Sequence, residues 1–205
     1  MSGQRRLVLW RHGQTSWNLG ERFQGQTDVP LDETGLAQAG RAARLLAALR
    51  PEVIVASDLR RAADTAATLG RVTDLPVAYD KDLRERYMGS WEGRTAADVR
   101  QRWPEAWQAR QPHDGETLAE VAIRVEGALR RAAEAADGSV VVAVSHGSAL
   151  RLGMVRLLGF PEELWNRVGA LSNCSWSVLS EDRSGWRLVE HNAGTLPEPV
   201  LSDDR

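Results

Sequence analysis

Short β-branched runs alternate along this chain with longer stretches rich in alanine and leucine at helical spacing. Leu7-Val8-Leu9-Trp10, Val53-Ile54-Val55-Ala56 and Val140-Val141-Val142-Ala143-Val144 are continuous apolar runs, the pattern of strands buried on both faces. Val77-Ala78-Tyr79 is a shorter candidate of the same kind. Thr34 is placed to cap a helix over about 34–49, with Leu36, Ala39, Ala43, Leu46 and Ala47 near one face and Pro51 closing it. Further helices are predicted over about 59–70, 117–136 and 148–158, and the segments 175–179 and 186–190 read as a hairpin. A polar loop fills 13–33, and a long irregular region fills 80–116. Asp137-Gly138 turns the chain into the last central strand, and Ser202-Asp203-Asp204-Arg205 forms a loose acidic end. Strand–helix alternation of this kind implies right-handed crossovers and an α/β three-layer sandwich, a mainly parallel sheet with helices on both faces.

Size and composition narrow the class. The 205 residues fit one domain over 1–205 with a lid-like insertion at about 80–116. A chain of this size buries roughly 70% of its unfolded surface and needs neither disulfides nor a structural metal. The net charge of −2 argues against broad binding to nucleic acid or to an anionic membrane surface. Cys174 is the only cysteine, so no intrachain disulfide forms and a reducing cytoplasm is the expected setting. No charged-then-apolar leader opens the sequence, and no apolar stretch approaches the ~18 residues of a membrane span.

The chemistry stands where the strands end. Arg11-His12-Gly13 follows the first, Ser57-Asp58-Leu59-Arg60-Arg61 the second, and Ser145-His146-Gly147 the last central one. Parallel strands deliver all three groups to one edge, the usual ligand edge of an open α/β sheet. A single histidine there is more simply structural, and Arg11-His12 alone could be a solvated basic pair. Two histidines at equivalent strand ends, each followed by glycine, with several arginines beside them, point instead to a trap for a dianionic phosphate. Backbone N–H groups opening the helix after Gly147 would add partial positive charge. Ser57 could touch the phosphate or, at least as readily, cap a helix; Glu92, His113 and Glu116 read first as loop and cap residues and only second as substrate contacts. Trp10, Trp17, Trp165, Trp176 and Trp186 read as core or half-buried aromatics, whereas Trp91, Trp103 and Trp107 could wall a lid. No Asp-rich metal cluster or glycine-rich nucleotide loop is present, so neither metal nor other cofactor is expected.

These motifs resemble the histidine phosphatase superfamily, the phosphoglycerate-mutase-like proteins. The resemblance runs through Leu9-Trp10-Arg11-His12-Gly13-Gln14-Thr15 with Asn18, Gln24-Gly25, Leu31 with Gly35, and Ser57-Asp58-Leu59-Arg60-Arg61-Ala62 with Thr65. It continues in Leu83-Arg84-Glu85, Gly89, Trp91-Glu92-Gly93, Gly115-Glu116-Thr117 and Ser145-His146-Gly147. It implies a phosphoglycerate-mutase-like fold and a phosphohistidine mechanism. His12 would be the nucleophile, Arg11, Arg61 and His146 the holders of the phosphoryl oxygens, and Glu85 the proton donor and acceptor. Asn18, Gln24 and Gly147 would line the phosphate pocket. Arg61 rather than Arg60 matches the family position, because it immediately precedes the alanine.

The same resemblance implies a phosphomonoester hydrolase acting on a small phosphorylated metabolite, such as glucosyl-3-phosphoglycerate or a sugar phosphate. The runner-up is mutase-type phosphotransfer; a non-catalytic binder of a phosphorylated ligand is the third reading. Mutases of the family carry a longer, more basic insertion after the glutamate. Here residues 94–116 are short, although Arg94, Arg100, Arg102 and Arg110 keep them from being neutral, so hydrolysis is expected. His113-Asp114-Gly115-Glu116 and Ser148 depart from the family pattern where a substrate tail would reach. A homodimer is plausible on the resemblance, with the C-terminal strand region as a contact.

Overall fold

A computed structural model describes residues 5–136 and 140–194; the predicted Asp137-Gly138 turn and the acidic end 202–205 lie outside the described residues. In chain order the elements are β1 (Arg6–Arg11), α1 (Ser16–Leu19), α2 (Glu33–Ala47), β2 (Val53–Ala56), α3 (Arg60–Thr73) and β3 (Val77–Tyr79), then α4 (Ala96–Arg102), α5 (Pro104–Ala109), α6 (Leu118–Glu134), β4 (Val140–Ser145), α7 (Gly147–Leu157), β5 (Trp176–Asp182) and β6 (Gly185–Ala193). The sheet runs β3-β2-β4-β1-β5-β6. β3, β2, β4 and β1 pair in parallel, and the β5–β6 hairpin adds to β1 antiparallel.

Period two sorts the strand residues between the layers. Leu7, Leu9, Val141, Ala143 and Val55 face one core, packed with α6 and α7 residues such as Val125, Leu129, Leu150 and Met154. Val8, Trp10, Val142, Val144, Ile54 and Ala56 face the other, with Ala39, Ala43 and Leu46 of α2 and Ala62, Ala66 and Leu69 of α3. The register sets Arg11 opposite Ser145 and Ala56 opposite Val144, so the three parallel strands end together and their following residues share one edge.

Three local expectations need correction. Asp32, not Thr34, caps α2, its carboxylate accepting from Gly35 N at 2.7 Å, and Leu36 is exposed. The first turn of α2 packs on the polar loop after β1, so Gly35 and Gln38 turn inward in place of Leu36. The helix after β2 runs to Thr73 and ends on Asp74 in the left-handed conformation, past Gly70. The region 80–116 is not wholly irregular: it holds two 3₁₀ turns and the helices α4 and α5. Its Trp91, with Phe23, Met88, Val99 and Ala106, forms a third, smaller apolar cluster, against which Trp103 and Trp107 pack. Trp10, Trp165 and Trp176 are buried and Trp17 and Trp186 half-buried. Among the described residues no helix is long and apolar enough to cross a membrane.

Candidate active site

The first residues of α7 tie the site together. His146, its N-cap, lies against the His12 ring, with centroids 5.1 Å apart and an interplanar angle of 60°. A Cβ on Gly147 would sit 3.5 Å from Cζ of Arg11, an ordinary contact, which puts this glycine against the Arg11 guanidinium. The next two N–H groups, of Ser148 and Ala149, donate to the Glu85 carboxylate at 3.1 and 2.9 Å. The structure thus brings His12, Arg11, His146, Gly147 and Glu85 to one helix start. It also assigns the Ser148 and Ala149 donors to Glu85, where the sequence had reserved them for the ligand.

His12 is buried, and the loop around it is closely fastened. Its backbone N–H continues the β1–β4 ladder to Ser145 O at 3.0 Å. Its carbonyl accepts from Cys174 N at 3.1 Å and from Asn173 Nδ2 at 3.2 Å. On the ring, Nδ1 is 2.7 Å from Gly13 O; a carbonyl can only accept, so Nδ1 carries the proton and Nε2 the lone pair. Burial, then the charges of Arg61 and Arg11, hold the imidazole well below the usual histidine range, against the smaller opposite effect of the Gly13 bond. The ring is therefore neutral at pH 7. Gly13 itself has no room for a side chain: a Cβ would lie 2.4 Å from Gly35 O, so two backbones meet where α2 begins.

Arg11 closes β1 and donates Nη1 to Leu171 O at 2.6 Å. Arg61, in the first turn of α3, is fully buried. It donates Nη2 to Gly25 O at 2.7 Å, Nη1 to Thr27 O at 2.8 Å and Nε to His146 Nδ1 at 3.2 Å. Arg60, its neighbour, is exposed, as its place on the helix requires. His146 Nε2 is 2.9 Å from Ser57 Oγ, which also accepts from Leu59 N. Leu59 is the N-cap position of α3, so Ser57 is not a helix cap but a partner of His146. Burial and the charge of Arg61 hold His146 well below the usual histidine range too.

Asn18 and Gln24 flank the same loop. Thr15, the N-cap of α1, forms a capping box with Asn18, and its hydroxyl lies 3.1 Å from both Asn18 Oδ1 and Gln24 Oε1. Asn18 Oδ1 also accepts from Asn173 Nδ2 at 3.3 Å.

Glu85 sits in a stretch outside any helix or strand, with both neighbours anchored. Arg84 forms a two-pronged pair with Asp58 at 2.6 and 2.7 Å, which holds the Asp58 carboxyl below its ordinary range. Arg86 reaches Glu116 O, Arg110 O and Gln111. Arg86 N adds a third bond to the Glu85 carboxylate at 2.8 Å.

Sequence reasoning missed the residues that work through the main chain. Asn173 holds both His12 and Asn18 through its side-chain amide. Glu92 accepts from Gln26 N, Thr27 N, Thr27 Oγ1 and Met88 N, and so staples the loop whose carbonyls hold Arg61. Glu116 pairs with Arg124 at 2.7 Å rather than meeting the pocket. Burial pushes the Cys174 thiol up to about 12, leaving it a packing group. Among the described residues no His, Cys, Asp and Glu group is arranged to hold a metal ion.

This constellation has known counterparts. The family model for the histidine phosphatase superfamily (branch 1) matches residues 7–194. Glucosyl-3-phosphoglycerate phosphatase of Mycobacterium tuberculosis H37Rv is 41% identical, with 92% of this chain and 95% of the relative covered. A probable phosphoglycerate mutase of Cronobacter sakazakii is 36% identical, with 88% and 86% covered. Among solved structures, mycobacterial glucosyl-3-phosphoglycerate phosphatase in complex with VO3 superposes with a TM-score of 0.87 at 39% identity, covering 93% of this chain and all of that one. On a match of this extent and relatives of this identity, the chain belongs to branch 1 of the histidine phosphatase superfamily.

Proposed function

We propose that this histidine phosphatase hydrolyses a small phosphomonoester through a covalent phosphohistidine on His12. The observation that carries the reading is the His12 ring itself: neutral, its proton fixed on Nδ1 by Gly13 O, its Nε2 lone pair left for attack beside Arg11 and Arg61. The Nε2 pair forms the bond to phosphorus, and the ester P–O bond breaks with its electrons passing to oxygen. That oxygen takes a proton from Glu85 and leaves as the alcohol. Water then attacks phosphorus and gives its proton to the Glu85 carboxylate. The P–N bond breaks, its pair returning to Nε2, and phosphate departs. Arg11, Arg61 and His146 hold the phosphoryl oxygens, with Asn18, Gln24 and the Gly147 backbone completing the pocket. His146 offers the phosphoryl group its Nε2–H, and Glu85 carries the proton for the leaving group. The chemistry draws on no metal and no other cofactor.

The 41% identical glucosyl-3-phosphoglycerate phosphatase supports glucosyl-3-phosphoglycerate, or a related sugar phosphate, as the substrate. The segment 80–116, with its tryptophan cluster, serves as the lid of a single domain. The protein acts in the cytoplasm on a small molecule, without nucleic acid or membrane. It forms a homodimer through β6, an edge strand that leaves Leu188 and Val189 exposed. Sedimentation of the wild type checks the dimer.

The deciding experiment is release of phosphate from an aryl phosphate by wild type and by His12→Ala, with acid quench to trap labelled phosphohistidine. Turnover and an acid-labile label in wild type alone are expected; equal rates in both proteins would overturn the reading. Ligand binding without turnover would identify a binder instead. Assay of 2- and 3-phosphoglycerate interconversion alongside phosphate release separates hydrolysis from mutase transfer, and a panel of sugar phosphates and glycosyl phosphoglycerates identifies the substrate.

A further inference from the structure

We propose that Arg124, a residue of α6, is a positioning residue for proton transfer: it holds the main chain of residues 82–85 so that the Glu85 carboxyl meets the leaving oxygen. The inference rests on Glu85 acting as the proton donor. A guanidinium has five N–H donors, and here each has an acceptor. Nη1 donates to Asp82 O at 2.8 Å and Arg84 O at 2.6 Å. Nη2 donates to Glu85 O at 3.0 Å and Glu116 Oε2 at 2.8 Å, and Nε to Glu116 Oε1 at 2.7 Å.

The acceptors explain why an arginine stands there. After the 3₁₀ turn Lys81–Leu83, residues 84–88 belong to no helix or strand, so no ladder fixes their path. Arg124 takes Asp82 O in that turn and then Arg84 O and Glu85 O, while Ser145 Oγ holds Leu83 O and Gln26 Nε2 shares the Glu85 carbonyl at 3.1 Å. Glu116 balances the guanidinium and holds the residues beyond Glu85. Its Oε2 accepts from Tyr87 N at 2.8 Å and its carbonyl from Arg86 Nε at 2.8 Å. Glu85 is thus fixed at its carboxylate by α7 and at its main chain by Arg124. Lysine keeps the charge but has three donors and no planar fork, so it cannot reproduce this pattern.

The ratio of activities on two esters separates positioning from general structural support. Dinitrophenyl phosphate leaves without a proton, whereas phenyl phosphate needs one. The ratio does not depend on how much of a variant folds, and kcat/KM reports the step in which the ester bond breaks. Arg124→Met is expected to lose about 10²-fold in kcat/KM on phenyl phosphate, the scale of a misplaced catalytic group, and at most about threefold on dinitrophenyl phosphate, where no proton is required. Inhibition by inorganic phosphate should stay unchanged, since the phosphate holders are not touched. Arg124→Lys should recover only part of the phenyl phosphate loss, and Glu116→Gln, which leaves the three carbonyl bonds in place, should fall between Arg124→Met and wild type. Equal losses on the two esters, full recovery in Arg124→Lys, or phosphate inhibition weakening in step with activity would overturn the assignment. Glu85→Gln run in parallel should show the same selectivity more deeply. If Glu85→Gln is selective and Arg124→Met is not, the Arg124 inference alone falls; if Glu85→Gln loses equally on both esters, the proton-donor reading falls with it.

Discussion

Arg61 donates its Nε–H to Nδ1 of His146 across 3.2 Å, and this bond sets the state of the second histidine. An arginine N–H only donates, so Nδ1 bears a lone pair and the ring proton lies on Nε2, 2.9 Å from Ser57 Oγ. Two imidazoles whose rings touch are therefore both neutral, each in an opposite tautomer fixed by a neighbour that cannot exchange roles. The arrangement keeps one ring nucleophilic and brings a permanent cation beside both.

Arg61→Lys tests how much of this depends on geometry rather than charge. Lysine cannot hold Gly25 O, Thr27 O and His146 Nδ1 together, so the cation shifts from its place beside His12. We expect kcat/KM for an aryl phosphate to fall about 10²–10³-fold, with inhibition by vanadate weakened as well. Near wild-type kinetics in Arg61→Lys would mean that the charge alone suffices.

Both histidines have depressed folded-state values, and the sign of the pH dependence follows. Below the ordinary histidine value of 6.5 the unfolded chain takes up protons that folded His12 and His146 refuse. Stability is therefore complete above that value and declines as pH falls below it, until the folded values are reached. Two such sites give a limiting slope of about 3 kcal/mol per pH unit. Urea unfolding at pH 7.5, 6.5 and 5.5 should show this decline, and His146→Asn should reduce it by up to half. Burial and the neighbouring arginines displace the acid limb of kcat/KM that belongs to His12 to below 6.5.

Gly13 and Gly147 both follow a site histidine, yet they are glycine for different reasons. A methyl at Gly13 meets backbone, Gly35 O at 2.4 Å, which neither partner can avoid by rotating a side chain. Gly13→Ala should cost about 3 kcal/mol, the upper part of the range for overpacking, by urea denaturation. A methyl at Gly147 meets only the Arg11 guanidinium at contact distance, and that residue has no left-handed backbone. Gly147→Ala should stay within about 1 kcal/mol of wild type, near the helix-propensity difference between the two residues, while losing phosphate affinity in an inhibition assay. Equal stability losses in the two variants would refute the distinction.

The strands and the groups at their ends were legible because each depends on local pattern. Four apolar runs gave four strands, and His12, Arg61 and His146 arrive at one edge because the strands before them are parallel and in register. The helices of the 80–116 region were not read, although the signals exist: Thr95 with Asp98 forms a capping box, and Pro104 opens α5. Six- and seven-residue helices carry too little periodicity to stand out among tryptophans and arginines. What had no local signal at all is the second layer of support. Arg124, Glu92 and Asn173 act on backbone carbonyls and amides far away in sequence, and nothing in the residues around them marks the partner.

Glu92 is the member of that layer that supports Arg61. It accepts from Gln26 N at 2.9 Å, Thr27 N at 2.9 Å, the Thr27 hydroxyl and Met88 N at 3.1 Å. The loop it fastens presents Gly25 O and Thr27 O to the two terminal nitrogens of Arg61. Gly25 is left-handed, with φ of 50°, and a Cβ there would lie 2.0 Å from Glu92 Oε1, so the contact admits only glycine opposite the carboxylate. Glu92→Gln is nearly isosteric but turns one acceptor into an NH2 group facing N–H donors. A lost charged hydrogen bond costs about 1.5–3 kcal/mol, and part of that falls on the placement of Arg61. We expect vanadate inhibition to weaken about tenfold and KM to rise more than kcat falls. The phenyl to dinitrophenyl phosphate ratio should be unchanged, because the proton donor keeps its own supports in Arg124 and α7. A change in that ratio, with vanadate inhibition intact, would move Glu92 from the phosphate clamp to the proton path.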